Sequence, residues 1–362
     1  MIPCKEAGIP LMAESYLHPP EERARSGPPA YAALDLGTNN CRLLVGAPAG
    51  EGFRVLDSFS RMVRLGEGLH DTGRLSQGAM DRAIAALHGC AARLARRPVL
   101  ALRAIATEAC RRAANGQEFL ARVRRETGLA IDVISTREEA ELALESCAPL
   151  FRLGGRRALL FDIGGGSTEL AWVRTGQCPS HPPELIGYIS LAVGVVTLAE
   201  RFAGAPCDAG AFNAMLIDVS ERIRPFEQVH RIAQEIRQGG VHLLGTSGTV
   251  TTLAGLALDL PRYSRQAVDG TVLTREAAAS AVGQLRAMGR EGLARHPCVG
   301  PERAEFVLPG CAIYAAIHRM WPAPEVVVAD RGLREGMLLR LMRAERGRDM
   351  RRMRPAPMAL HA

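Results

Sequence analysis

Lysine is almost missing from this chain: Lys5 stands alone, and arginine supplies the rest of the 45 basic residues among 362. The bias is compositional and carries little functional weight. Aromatic residues make up only 4%, which leaves few flat surfaces on which a base could stack. No apolar run approaches the ~18 residues of a membrane span. The opening "MIPCKEAGIPLMAESYLHPPEERARSGPP" lacks the apolar stretch of a signal peptide, and its Pro-Pro pairs and charges predict a disordered extension over 1–29. The nine cysteines form no Cys-x-x-Cys pair and no Cys/His cluster at zinc spacing. Cys41, Cys90, Cys110, Cys147 and Cys311 sit in apolar stretches, where cysteine is usually a small buried hydrophobe. A reduced, cytoplasmic protein is the simplest expectation. Both common nucleotide signatures are also missing: there is no GxxxxGK[ST] and no GxGxxG turn opening a helix.

What is present is ordinary for a globular chain of two domains: 47% apolar and 23% charged residues. The net charge of +7 is concentrated in a tail. From Leu341 onward, Arg343, Arg346, Arg348, Arg351, Arg352 and Arg354 face only Glu345 and Asp349. The body is therefore only mildly basic, and neither nucleic acid nor membrane is expected as a partner. Residues 342–362 read as a basic disordered tail.

Strands and helices alternate throughout. "YAALDLGTNNCRLLVGAP" reads as strand, tight turn, strand, and "RALLFDIGGGSTELAWV" repeats that design in the second half. A helix is expected from Ser76 to Arg97, with Met80, Ile84, Leu87, Ala91 and Leu94 at helical spacing, Ser76 as N-cap and Pro98 as terminator. Further strands are expected over 99–109 and in "AIDVIS", and helices over 136–150, 194–204 and 209–238. Two related α/β domains with a cleft between them follow. Their predicted bounds are 30–143 and 144–341, with a last helix from about 332 able to pack back on the first domain.

Three turns stand out: Asp35-Leu-Gly-Thr-Asn-Asn, Asp162-Ile-Gly-Gly-Gly-Ser-Thr-Glu and Gly245-Thr-Ser-Gly-Thr. Glycine permits positive φ and removes the Cβ, so several N–H groups can converge on one anion. Thr38, Ser167, Thr168, Thr246, Ser247 and Thr249 add hydroxyls, and the third turn precedes a helix. Aspartates repel phosphate, so their natural role is to hold a divalent cation that bridges to it. Each turn alone is a common structural device. Together, in this order, they predict a phosphoryl and metal site in an interdomain cleft.

The helix over "STREEAELALESCAPL" places Ala140, Ala143, Leu144, Cys147 and Ala148 on one apolar stripe, which Glu139 borders and Glu138 opposes. A partly buried Glu139 would have its pKa raised toward useful base strength. The competing reading is a capping box, Ser135 with Glu138 or Thr136 with Glu139, and on the residue pattern alone it carries more weight. Arg42, Arg111, Arg112, Arg303 and Arg334 are further basic candidates.

With these residues in hand, the chain resembles the exopolyphosphatase / guanosine pentaphosphatase (Ppx/GppA) family of the actin-like ATPase superfamily. The resemblance runs from about Tyr31 to Leu341 through "ALDLGTNNCRLLV", "AIATEACRRA", "ISTREEAEL", "FDIGGGSTEL", "SLAVGVVTLAERF", "GTSGTV", "RAEFVLPGCAI" and "DRGLREGML". It implies two ribonuclease-H-like domains and Mg²⁺-dependent (or Mn²⁺-dependent) hydrolysis of terminal phosphoanhydrides of polyphosphate or pppGpp. It implies Glu139 as catalytic glutamate, with Asp162 and Glu169 in the same site. Asp35, Asp162 and Glu169 become the metal candidates. Gly37, Thr38, Asn39, Gly164, Gly165, Gly166, Ser167, Thr168, Gly245, Thr246, Ser247, Gly248 and Thr249 become the phosphate cradle, joined by Arg111 and Arg303. Long family members carry extra C-terminal helical domains, and this chain is expected to be the short form. The resemblance leaves oligomeric state open, a homodimer being one option. A kinase or ATPase of the same superfamily, or a non-catalytic polyphosphate or alarmone sensor, remains as a rival. The scarcity of aromatics leans toward polyphosphate.

Overall fold

A computed structural model describes residues 29–151, 155–176, 183–202 and 209–353, with side chains to 346. The first half builds one sheet from β1 (Tyr31–Leu36), β2 (Asn40–Ala49), β3 (Gly52–Met62), β4 (Ala101–Ala106) and β5 (Asp132–Val133). Between them lie α1 (Leu69–Thr72), α2 (Gln77–Arg96), α3 (Glu108–Arg112) and α4 (Gly116–Thr127). The order is β3-β2-β1-β4-β5, with β1 antiparallel to β2 and parallel to β4. Helix α5 (Thr136–Cys147) then leads to the second half.

That half comprises β6 (Arg157–Ile163), β7 (Thr168–Arg174), β8 (Glu184–Leu191), α6 (Val195–Arg201), α7 (Ala209–His230), α8 (Ile232–Gln238), β9 (Val241–Thr246) and α9 (Gly248–Ala257). It continues through α10 (Arg265–Val268), β10 (Val272–Thr274), α11 (Arg275–Ala287), α12 (Gly289–Arg295), α13 (Val307–Met320), β11 (Glu325–Ala329) and α14 (Leu333–Met353). Its sheet runs β8-β7-β6-β9-β11-β10. The first five strands repeat the order and directions of the first sheet, and β10 adds an antiparallel edge. These are two ribonuclease-H-like domains of the actin-like type.

Three expected elements are adjusted. The strand over 99–109 ends at Ala106, and Glu108–Arg112 turns into helix α3. The helix over 209–238 breaks at Arg231, which takes a left-handed φ of 51°. The final helix continues to Met353, past the point where an unstructured tail was expected to start. Residues 1–28 and 354–362, which hold the rest of the predicted extension and tail, lie outside the described residues.

Strand β1 is buried on both faces, and its alternation assigns the faces to different cores. Ala32, Leu34 and Leu36 pack with α2 and α4 residues such as Leu87 and Phe119. Tyr31 and Ala33 turn the other way, into a core shared by both sheets. Leu142, Leu144 and Cys147 of α5 and Met337, Leu338 and Met342 of α14 fill that core, against Leu160, Val173 and Val327 of the second sheet. The expected boundary at 143/144 therefore falls inside a helix that serves both domains. The third core, between the second sheet and α7, α9 and α13, is anchored by Trp172, Trp321 and Phe161.

Helices α5 and α14 meet so closely that a Cβ on Gly336 would overlap the Leu142 carbonyl, whereas one on Gly283 of α11 would meet nothing within 4 Å. A backbone carbonyl cannot move aside as a side chain can. Gly336→Ala should therefore lower stability by about 1–3 kcal/mol, despite alanine's better helix propensity. Gly283→Ala should raise it by roughly 0.5–1 kcal/mol. Thermal melts of the two variants beside the parent give the opposite signs or refute this packing.

Candidate active site

The strand-end turns of both sheets open onto one cleft of about 560 Å³ between the domains. Loop 1 (37–39) joins β1 to β2, loop 2 (164–167) joins β6 to β7, and loop 3 (247) joins β9 to α9. A fourth, Asp330–Gly332 between β11 and α14, completes the wall.

Loops 1 and 2 lie back to back. A Cβ on Gly166 would sit 2.6 Å from Thr38 Oγ1, and one on Gly165 would sit 3.1 Å from Asn39 Cβ. None of the glycines at 37, 164–166, 245 or 248 has a positive φ. The expectation that they supply left-handed backbone is thus corrected: loop 2 needs glycine so that two backbones can touch. The residue in left-handed territory is Ser247, at φ 127°, whose Oγ accepts from Thr249 N and Val250 N at the start of α9.

The polarity of both loops is set by what covers their carbonyls. Asn39 O accepts from Val63 N and Arg64 N (2.8 and 3.1 Å), and Thr38 O accepts from Gly66 N (2.9 Å). Gly164 O and Gly165 O accept from Val195 N and Val196 N of α6 (3.0 and 2.8 Å). Among the described residues, the amides of Thr38, Asn39, Gly165, Gly166 and Ser167 meet no protein acceptor. Carbonyls tied back and amides left free are the arrangement that an anion site requires.

Four carboxylates surround these amides. Asp35 ends β1, Asp162 and Glu169 are register partners across β6 and β7, and Glu139 comes from the first turn of α5. Like charges directly opposite each other repel, and burial adds to that. Burial, with repulsion from Asp162, lifts Glu169 to about 7, although Ser167 Oγ (2.6 Å) and Ser190 Oγ (2.8 Å) donate to it. Burial lifts Asp162 to about 6 against the pull of Arg42, and Asp35 is raised for the same reason. Glu139 is 7% exposed. Burial and the Glu169 charge hold its pKa well above the ordinary value, with Arg111 opposing them.

The helix start is a simple N-cap and not a capping box. Ser135 Oγ accepts from Glu138 N at 3.1 Å, so the cap is made. The Glu138 side chain reaches Arg103 instead of closing the box, and Glu139 is free of capping and lines the cleft.

Of the predicted residues, Asp35, Gly37, Thr38, Asn39, Glu139, Asp162, Gly164, Gly165, Gly166, Ser167, Glu169, Thr246, Ser247, Gly248, Thr249 and Arg303 line this cleft together. Three do not. Thr168 is fully buried and donates its hydroxyl to Val193 O (2.7 Å). Gly245 lies under the Phe161 ring, which a Cβ would meet at 2.5 Å. Arg111 stands behind Glu139, tied to it and to Glu108. Sequence reasoning missed Arg61, which reaches the cleft from β3, and the Asp330–Gly332 loop. In the β2–β3 ladder Arg61 pairs with Cys41 and Arg42 with Ser60, which sets the two arginines on opposite sheet faces, and only the tertiary structure brings both to the cleft wall. Arg42, Arg61 and Arg303 make no ion pair among the described residues, so their charge is available to an anion.

The donor set fits a hard divalent cation held through water. Asp35 Oδ1 and Asn39 Oδ1 are buried without a hydrogen-bond partner beside the raised carboxylates. No three acidic, His or Cys side chains converge into a closed cage among the described residues. Mg²⁺ typically binds in this way, through one or two carboxylates, waters and substrate phosphate.

The sequence model of the Ppx/GppA phosphatase family matches residues 45–345. The chain belongs to this family. A Ppx/GppA family member of Aquifex aeolicus superposes with a TM-score of 0.72 at 28% identity, over 88% of this chain and 98% of that one. An exopolyphosphatase-like protein matches with a TM-score of 0.78 at 28% identity, over 87% and 98%. An exopolyphosphatase of Cytophaga hutchinsonii shares the fold with a TM-score of 0.77 at 24% identity, over 87% and 98%. No helix among the described residues is long and apolar enough to cross a membrane.

For this Ppx/GppA member the buried acids have a thermodynamic consequence. Asp162 and Glu169 have folded pKa values of about 6 and about 7, above their ordinary 3.8 and 4.5. The stability linked to their protonation is complete below pH ~4 and is lost as pH rises through ~7. In EDTA, Glu169→Gln should therefore melt several degrees above the parent at pH 8, and this gain should vanish by pH 4. An equal difference at both pH values would contradict the assignment.

Proposed function

We propose that this Ppx/GppA phosphatase is an exopolyphosphatase, which hydrolyses the terminal phosphoanhydride of inorganic polyphosphate and releases orthophosphate. The observation that carries the reading is the placement of Glu139. A buried carboxylate with a raised pKa lines the same cleft as the free amides of loops 1 and 2 and the unpaired Arg42, Arg61 and Arg303.

In this reading the amides of Gly165, Gly166, Ser167, Thr38 and Asn39 grip the terminal phosphoryl group. Glu139 orients a water for in-line attack and takes its proton. Arg42, Arg61 and Arg303 neutralise charge on the terminal and following phosphates as the loose transition state forms. Asp35, Asp162, Glu169 and Asn39 would hold Mg²⁺ or Mn²⁺, which when bound supplies charge neutralisation to the phosphate oxygens. Its positive charge would favour the ionised forms of these carboxylates.

Linear polyphosphate is favoured over pppGpp because the cleft offers little aromatic surface on which a guanine could stack. Among the described residues, only Tyr263 and Phe306 bring rings to its wall, and Arg64 covers the Phe306 ring at 5.3 Å. Three arginines without an ion pair among the described residues suit a repeating anion.

Phosphate release from polyphosphate and from pppGpp, measured side by side with and without Mg²⁺, tests the proposal. Polyphosphate should be the better substrate, and release should need the metal. Preference for pppGpp would replace the substrate, and release of phosphate only from ATP would replace the reading. Glu139→Gln should lower kcat by about 10²–10⁴ with KM little changed. Turnover near that of the parent would remove Glu139 from its role.

A further inference from the structure

The guanidinium of Arg111 is fully engaged by protein acceptors. Its Nε and Nη2 donate to Glu108 Oε2 (3.2 and 2.8 Å), and its Nη1 donates to Ile134 O (2.8 Å). Its Nη1 and Nη2 also donate to Glu139 Oε2, both at 3.2 Å. With five N–H donors in a rigid fork, little remains to offer a phosphate. Glu108 is itself buried, at 8% exposed, at the start of α3. The wall of the cleft includes Thr107 and Glu139, but not Arg111.

Were Arg111 to swing out to a substrate, it would strip Glu139 of its cation and leave Glu108 only the longer pair to Arg112 (3.8 Å), and a buried carboxylate that loses its partner is strongly disfavoured. The groups facing Glu139 make the loss worse: Glu169 from β7 and Asp35 from β1 both repel it, and Arg111 from α3 is the cation that opposes them. The grip is also one-sided. Arg111, itself held by Glu108, donates only to Oε2, and Glu139 Oε1 takes no protein hydrogen bond among the described residues.

We propose that Arg111, locked in place by Glu108, is a positioning residue for Glu139 and not a phosphate ligand. The Glu108–Arg111 pair fixes the Glu139 carboxylate by one oxygen and leaves the other for the attacking water. This inference rests on Glu139 being the general base of the proposed reaction. It departs from the phosphate-binding role that the family resemblance implies for this position.

The test is a double-mutant cycle of Arg111→Met and Glu139→Gln, read by kcat and KM on polyphosphate and by calorimetric binding of tripolyphosphate. Arg111→Met should lower kcat about 10–10²-fold through misplacement of the base, with KM and tripolyphosphate affinity changed less than about threefold. In the Glu139→Gln background, removing Arg111 should cost no further turnover, because the arginine acts through the group already lost. Arg111→Lys should recover part of the rate, and Glu108→Gln should lose part of it. Should Arg111→Met fold poorly, as circular dichroism would show, Arg111→Lys and Glu108→Gln carry the same cycle. Tripolyphosphate affinity falling about tenfold or more, or multiplicative losses across the cycle, would overturn the proposal. Absence of phosphate release by the parent enzyme would instead sink the exopolyphosphatase reading, and the binding arm would still report on Arg111.

Discussion

Loop 2 passes so close to loop 1 that a methyl group on Gly166 would press on Thr38. The rest of the site depends on this contact. It brings the ends of the two sheets together, so that Asp35 from one and Asp162 from the other share a region of low dielectric. It also turns the free amides of both loops toward one space. Had either sheet been offset by a side-chain layer, the carboxylates would have remained solvated and the amides would have faced separate solvent pockets.

The same layout explains an apparent excess of negative charge. Four carboxylates buried at one site cost stability in their charged forms, as their raised pKa values record. Functional sites commonly hold such strain, because a ligand of opposite charge relieves it. The amides of loops 1 and 2 and the arginines line the same cleft as these carboxylates, so a metal–phosphate pair would neutralise both sets at once. The shared core beneath, with α5 and α14 packed between the sheets, places Glu139 on an element that contacts both domains.

Much of this was legible locally. Turn glycines, strand-end acids and the α5 stripe are short-range features, and short-range patterns survive in a single sequence. The duplicated strand-turn-strand design led to the two-domain arrangement because each copy carries its own alternation. Less legible were residues whose meaning depends on a partner far along the chain. Gly165 and Gly166 suggested backbone freedom, but their requirement is contact with residues 38 and 39. Arg111 suggested a phosphate ligand, yet Glu108 and Glu139 occupy its donors. Arg61 was invisible because no local pattern in β3 marks it, and only the tertiary fold carries it to the cleft.

By itself the sequence determined the alternation of elements, the two matching halves, the acids and glycines at their strand ends, and the family to which these motifs belong. Such features follow from period and turn chemistry, which act over a few residues. Tertiary structure alone decided which of those residues face the cleft, which arginines are free, and which carboxylates lie close enough to perturb one another. Those outcomes depend on distances between segments more than a hundred residues apart. Burial and Coulomb interaction respond to such distances, and local sequence pattern does not encode them.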